Sequence, residues 1–156
     1  MFAGALFWIM FRETIYPYLL VLVQFACLAF LFYSAPVIAG GYAGILIESL
    51  GLFLGILAIF NMRIGNFNIS PHNRSGGKLV THGIYGVIRH PMYFAQLLML
   101  LPLVIDYYSQ LRLAAFLLLM VTLLLKIRYE EAHLVHHYEG YREYMQKTKK
   151  LIPYIF

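Results

Sequence analysis

The chain has 156 residues, 62% hydrophobic and 12% charged, and 12 Lys and Arg against 7 Asp and Glu give a net charge of +5. An average soluble domain carries about 25% charged residues, so this composition excludes a soluble globular protein and places the chain in a bilayer. The length is one domain's worth, which leaves no room for a soluble catalytic domain beside a membrane bundle, and residues 1–156 are expected to form a single membrane-embedded unit.

In chain order, Phe2 to Phe11 is apolar but has neither a basic leading region nor a small-residue cleavage site, and Arg12 and Glu13 follow directly. It is expected to be a retained interfacial segment. Residues 16–36 contain only Gln24 and Ser34 as clearly polar side chains, and about 20 helical residues cross a bilayer core, so this is the first predicted span. The single cysteine, Cys27, lies within it and has no partner for an internal disulfide. Gly40-Gly41 breaks the pattern, and residues 43–61 form the second predicted span, interrupted by Glu48 and Ser49 near its start. Gly51 and Gly55 have the spacing that permits close helix contact, and packing inside the bundle is the favoured use. Glu48 either pairs with Arg112 or faces the bundle interior, the structural pair being preferred.

Between Arg63 and Arg89 the chain is rich in Asn, Gly and Ser, with Pro71 and Gly76-Gly77 as breakers; a loop of this length is expected to be functional. Residues 91–108 and 111–127 then form a helical hairpin, each arm just long enough to cross, with Asp106 to Gln110 as the turn and Pro102 expected to kink the first arm. Beyond Lys126 the pattern becomes amphipathic, with Glu130, Leu134, His137, Tyr141 and Tyr144 along one helix face that should leave the membrane. Lys147, Lys149 and Lys150 end it, and the apolar tail 151–156 returns to the interface. The fold class expected is all-α and integral to the membrane, with about four transmembrane helices and an amphipathic helix at the carboxyl end.

Four spans with the amino terminus inside put Arg12, Arg63, Arg74, Lys78, Arg89, Lys126, Arg128, Arg142, Lys147, Lys149 and Lys150 on the inner side and Arg112 alone outside. This imbalance predicts that both termini, the central loop and the base of the second hairpin are cytoplasmic. Basic residues beside apolar spans favour anionic lipid headgroups, not nucleic acid, as the partner.

The polar residues at that face are Leu79-Val80-Thr81-His82-Gly83-Ile84-Tyr85, Arg89-His90-Pro91-Met92-Tyr93 and, one apolar hairpin later, Glu130-Glu131. Between apolar spans such a cluster costs too much to desolvate unless it is paired, hydrated or holding a polar ligand, so a binding site is expected. Taken in order, with Tyr141-x-x-Tyr144 before Ile152-Pro153, these motifs resemble the isoprenylcysteine carboxyl methyltransferase family over residues 60–156, the catalytic region being 62–156. Residues 1–60 match only as generic apolar spans. The resemblance implies S-adenosylmethionine as cofactor, bound by Leu79, Val80, His82, Gly83, Tyr85, His90, Tyr93, Glu130 and Glu131, with Arg89 and Glu130 as catalytic residues. Ile84, Gly86 and Ala95 depart from the family's frequent Pro, basic residue and Gly.

Each piece also has a plainer reading. Arg89, Lys126 and Arg128 can snorkel to lipid phosphates, and Glu130 and Glu131 can sit on a solvated helix. Adjacent carboxylates, however, repel each other without a cation. His133-x-x-His136-His137 has the form of a di-iron box, but such sites draw on several boxes and more histidines than the six present, so no metal is expected. The expected function is methyl transfer to a membrane-resident amphiphile, above all carboxyl methylation of a prenylcysteine-like or other lipidic acceptor. The alternatives are an NADPH-dependent reductase, since Arg-His-Pro-x-Tyr and Ile-Pro-Tyr-Ile also resemble the carboxyl-terminal part of sterol reductases, and a non-catalytic membrane subunit.

Overall fold

The computed structural model describes residues 14–62 and 79–156. The expectations for Phe2 to Phe11, for Arg12 and for the central loop from Arg63 to Lys78 lie outside these residues. Five α-helices follow one another among the described residues: α1 Tyr16–Tyr33, α2 Tyr42–Met62, α3 Pro91–Asp106, α4 Gln110–His137 and α5 Tyr141–Lys147, with a 3-10 turn at Gly83–Gly86 before α3. Among the described residues there is no sheet, only an isolated parallel bridge between Ile88 and Lys149.

Local chemistry explains the boundaries. Pro17 and Pro91 sit in the first turns of α1 and α3, where a missing N–H is harmless. Ser109 caps α4 by accepting from the Arg112 N–H at 3.2 Å. At the start of α2 the carboxylate of Asp106, from the end of α3, accepts from the Gly40 N–H at 2.8 Å and the Gly41 N–H at 3.3 Å. The negative charge thus meets a helix amino terminus.

α1, α2 and α4 are long and apolar enough to cross a membrane, while α3 is a shorter apolar helix of 16 residues. At 1.5 Å per residue α3 reaches about 24 Å, so three to four of the helices are apolar enough to span a roughly 30 Å core, α3 being the shortest of them. α3 runs through Pro102 as one helix. The second arm does not stop at residue 127. Nothing between Lys126 and His137 breaks a helix, so α4 continues to His137, and the chain turns only at Gly140, whose φ of 80° suits glycine. Tyr141 and Tyr144 therefore belong to the separate α5, not to the face that carries Glu130.

α2 packs on α3 and α1 on α4, and the core of Cys27, Leu31, Leu100, Leu103, Leu119 and Leu123 lies among α1, α3 and α4. Gly51 is where the α2 and α3 backbones close up: a Cβ there would lie 2.8 Å from the Met99 nitrogen. Outward-facing side chains such as Leu22, Leu46, Phe60 and Leu118 are apolar and exposed, as a surface facing hydrocarbon requires. The protein is a multi-pass integral membrane protein.

Candidate functional site

Four segments meet where α3 begins and α4 ends. The 3-10 turn and Ile88 to His90 bring in the residues preceding α3, and the carboxyl-terminal strand after α5 runs alongside them. The Arg89 N–H donates to the Lys149 carbonyl at 2.8 Å and the His90 N–H to the Lys150 carbonyl at 3.0 Å. Tyr144 of α5 donates its hydroxyl to the Tyr85 carbonyl at 2.6 Å, tying the same two segments together.

Arg89 is 8% exposed and fully engaged. Its Nε donates to Glu131 Oε1 at 2.6 Å, and Nη1 donates to the carbonyls of Thr148 and Met145 and to the Thr148 hydroxyl. Lys150 Nζ lies 3.7 Å from the other oxygen of Glu131. Glu131 is thus a buried, compensated carboxylate, which is the condition for holding a charge in low dielectric.

Glu130 is different. Its side chain is 21% exposed against 7% for Glu131, and its Oε1 accepts from the Tyr93 hydroxyl at 2.5 Å. The two acids are adjacent in sequence, yet one faces inward to Arg89 and the other lines the open side. His90 stands between them, Nδ1 3.6 Å from Glu130 and Nε2 3.5 Å from Glu131, and its ring stacks parallel on Tyr93 at 5.6 Å. At 3.5 Å the His90 Nε2 contact falls short of a hydrogen bond, so this buried atom has no partner; the buried Tyr85 hydroxyl is likewise unpartnered. Burial, with Tyr144 and Glu130 adding to it, pushes the Tyr85 phenol above its ordinary value, so the group stays protonated and remains a donor. The Tyr144 phenol is pushed up to about 12, chiefly by burial.

Of the sequence-predicted residues, Tyr85, Arg89, His90, Tyr93, Glu130 and Glu131 come together here. Leu79 and Val80 are half-buried and His82 and Gly83 are exposed on the turn leading in. Gly83 has a φ of 60°, and a Cβ there would strike the Asn61 side chain. His133 Nδ1 contacts the Tyr129 carbonyl at 2.8 Å, and no group of three metal-ligating side chains occurs among the described residues. Glu48 does not pair with Arg112. Its carboxylate accepts from the Ala39 N–H at 2.9 Å, holding the α1–α2 turn, while Arg112 donates to the carbonyls of Leu31 and Leu103 and to the Ser34 hydroxyl. Nearby backbone and hydroxyl groups take up the Glu48 carboxylate and the two terminal nitrogens of Arg112, whose buried Nε has no partner among the described residues.

Sequence reasoning missed Thr148 and Lys150, which act from the carboxyl-terminal strand, and a polar chain inside the bundle. There Lys126 donates to Gln24 Oε1 at 2.7 Å and Gln24 donates to Gln96 Oε1 at 2.9 Å. The one signal available was the presence of polar side chains within apolar spans.

Residues 40–140 match the model of a protein family described as phospholipid methyltransferase. The chain belongs to that family. None of the curated proteins and none of the solved structures matches it significantly. The protein is therefore a membrane methyltransferase, and its family uses S-adenosylmethionine to methylate a membrane lipid. The motif resemblance pointed to a neighbouring family of the same clan. The polar set at the head of α3 fits such a donor: two carboxylates suit a ligand bearing an ammonium and a sulfonium, and the unpartnered Tyr85 hydroxyl and His90 Nε2 offer it further hydrogen bonds.

Proposed function

We propose that the protein methylates the headgroup amine of a membrane phospholipid, at a site built from Tyr85, Arg89, His90, Tyr93, Glu130 and Glu131. The observation that carries this reading is the division of labour between the two acids: Arg89 neutralises Glu131, whereas Glu130 is partly exposed, accepting from the Tyr93 hydroxyl and lying 3.6 Å from His90 Nδ1. When bound, S-adenosylmethionine supplies an electrophilic methyl group. Leu79 to Tyr85, His90 and Glu131 would hold the donor, and the Arg89 network fixes the carboxyl-terminal segment beside them. An ammonium has no lone pair, so the acceptor amine must lose a proton before it reacts. Glu130 is the base placed to take that proton, with the Tyr93 hydroxyl holding it in orientation. The enclosing helices supply alignment and exclude water, which is most of what methyl transfer asks of a protein.

A second reading, carboxyl methylation of a prenylcysteine, is favoured by the motif set; that acceptor is already ionised at neutral pH and needs no base. Radiolabelled methyl transfer by purified protein to phosphatidylethanolamine and to a prenylcysteine analogue separates the two. Transfer to the amine lipid is expected, and transfer confined to the prenylcysteine would replace this reading by the second.

The basic asymmetry supports a cytoplasmic site. In a Cys27→Ser background, cysteines introduced at Asn73 and Ser109 report orientation through an impermeant reagent in intact cells. Protection at Asn73 and labelling at Ser109 are expected, and the reverse pattern would invert the topology.

A further inference from the structure

Lys126 stands one helical turn before Glu130 on α4, on the same face and further into the apolar bundle. It is 6% exposed. Among the described residues its ammonium donates to one acceptor, Gln24 Oε1, and lies 5.1 Å from the centroid of the Tyr93 ring, with no carboxylate at ion-pair distance. An ammonium has three protons to place. Gln24 takes one and the ring face attracts the charge, but neither replaces a counter-ion. A buried ammonium without a counter-ion is costly to desolvate, and a neutral side chain would fill the same space without that cost. The residue is therefore placed for an anion.

We propose that Lys126, with Gln24 and Gln96, forms the subsite that receives the phosphodiester of the acceptor lipid. This rests on the phospholipid methyltransferase reading and extends it. The order of groups along α4 carries the inference: the Glu130 carboxylate, then the Lys126 cation, then the buried Thr122, Leu123 and Leu119. An amine-headed phospholipid has the complementary order of ammonium, phosphate and acyl chains. Four residues of helix rise about 6 Å, a separation of the order spanned by the two-carbon bridge between phosphate and amine. Tyr93 and Gln96, which border the polar chain on α3, are half-buried. A prenylcysteine carries no phosphate for Lys126, so the subsite also selects between the two acceptor classes.

The test compares wild type, Lys126→Met and Lys126→Arg in detergent micelles, using phosphatidylethanolamine and a phosphate-free long-chain alkylamine as acceptors. Lys126→Met is expected to lower the ratio of kcat/KM for the phospholipid over that for the alkylamine at least tenfold, mainly through KM, and Lys126→Arg to recover most of it. Phosphatidic acid, which has the phosphate without the amine, is expected to compete with phosphatidylethanolamine on wild type, whereas inorganic phosphate at the same concentration is not. Equal losses on both acceptors, or no competition by phosphatidic acid, would overturn the subsite while leaving phospholipid methylation standing. A wild-type protein that binds S-adenosylmethionine yet methylates no amine-headed lipid would overturn the underlying reading and the subsite with it. If Lys126→Met does not fold, the competition arm on wild type decides.

Discussion

Each end of the bundle buries an arginine, and the two are held in different ways. Arg112, 3% exposed, donates to the Leu31 and Leu103 carbonyls and the Ser34 hydroxyl, and so joins α1, α3 and α4 without a carboxylate. The cleft beside it, about 590 Å³ and bordered by Pro36, Tyr107 and Tyr108, holds no acid or histidine. Arg89 has a carboxylate partner and, around that pair, a histidine, a second acid and a lysine. Backbone and hydroxyl oxygens take up the two terminal nitrogens of Arg112, while its buried Nε has no partner among the described residues. The concentration of titratable groups at the Arg89 end is what supports its proposal as the ligand site.

Substitutions sharpen that contrast. The largest effect is expected for Glu131→Gln, which leaves the Arg89 charge buried and uncompensated: a loss of about 3–5 kcal/mol in stability, read by denaturation in detergent. The double substitution Arg89→Met with Glu131→Leu should recover much of that stability but not cofactor binding. Arg112→Met is expected to cost on the order of 2 kcal/mol, because three backbone and hydroxyl acceptors lose their donor, while the folded fraction binds S-adenosylmethionine with wild-type affinity. Weakened cofactor binding in that variant would erase the distinction between the two ends. Tyr93→Phe removes the hydrogen bond to Glu130 and should slow methyl transfer about tenfold, with little change in stability. The smallest test concerns the glycines of α2: Gly51→Ala should destabilise by about 1–3 kcal/mol through its clash with Met99, whereas Gly55→Ala, whose Cβ would meet Ala95 at 3.5 Å, should be tolerated.

These expectations draw on features of unequal visibility in the sequence. The spans were readable because apolar run length alone sets them, and the Arg-His-Pro-x-Tyr and Glu-Glu motifs were readable because ionisable residues beside hydrocarbon need a reason. The end of α4 was misplaced because the change from apolar to amphipathic pattern at Lys126 reflects a change in the helix's surroundings, not the end of the helix. Partnerships over long separations were hidden. Nothing local joins Lys126 to Gln24 or Arg89 to the Thr148 carbonyl, since those contacts exist only once α1 and the carboxyl-terminal strand have packed. Glu48 and Arg112 were mispaired for the opposite reason: opposite charges near one membrane end suggested an ion pair, and each instead engages backbone groups closer at hand.

The most direct test of the Arg89 end as the cofactor site is calorimetric titration of purified protein with S-adenosylmethionine and its demethylated product, in wild type and in His90→Ala and Glu131→Gln variants whose folding has been verified. Binding to wild type and loss of at least tenfold in affinity in both variants is the result this account predicts. Wild-type affinity retained in both would place the cofactor elsewhere and contradict it.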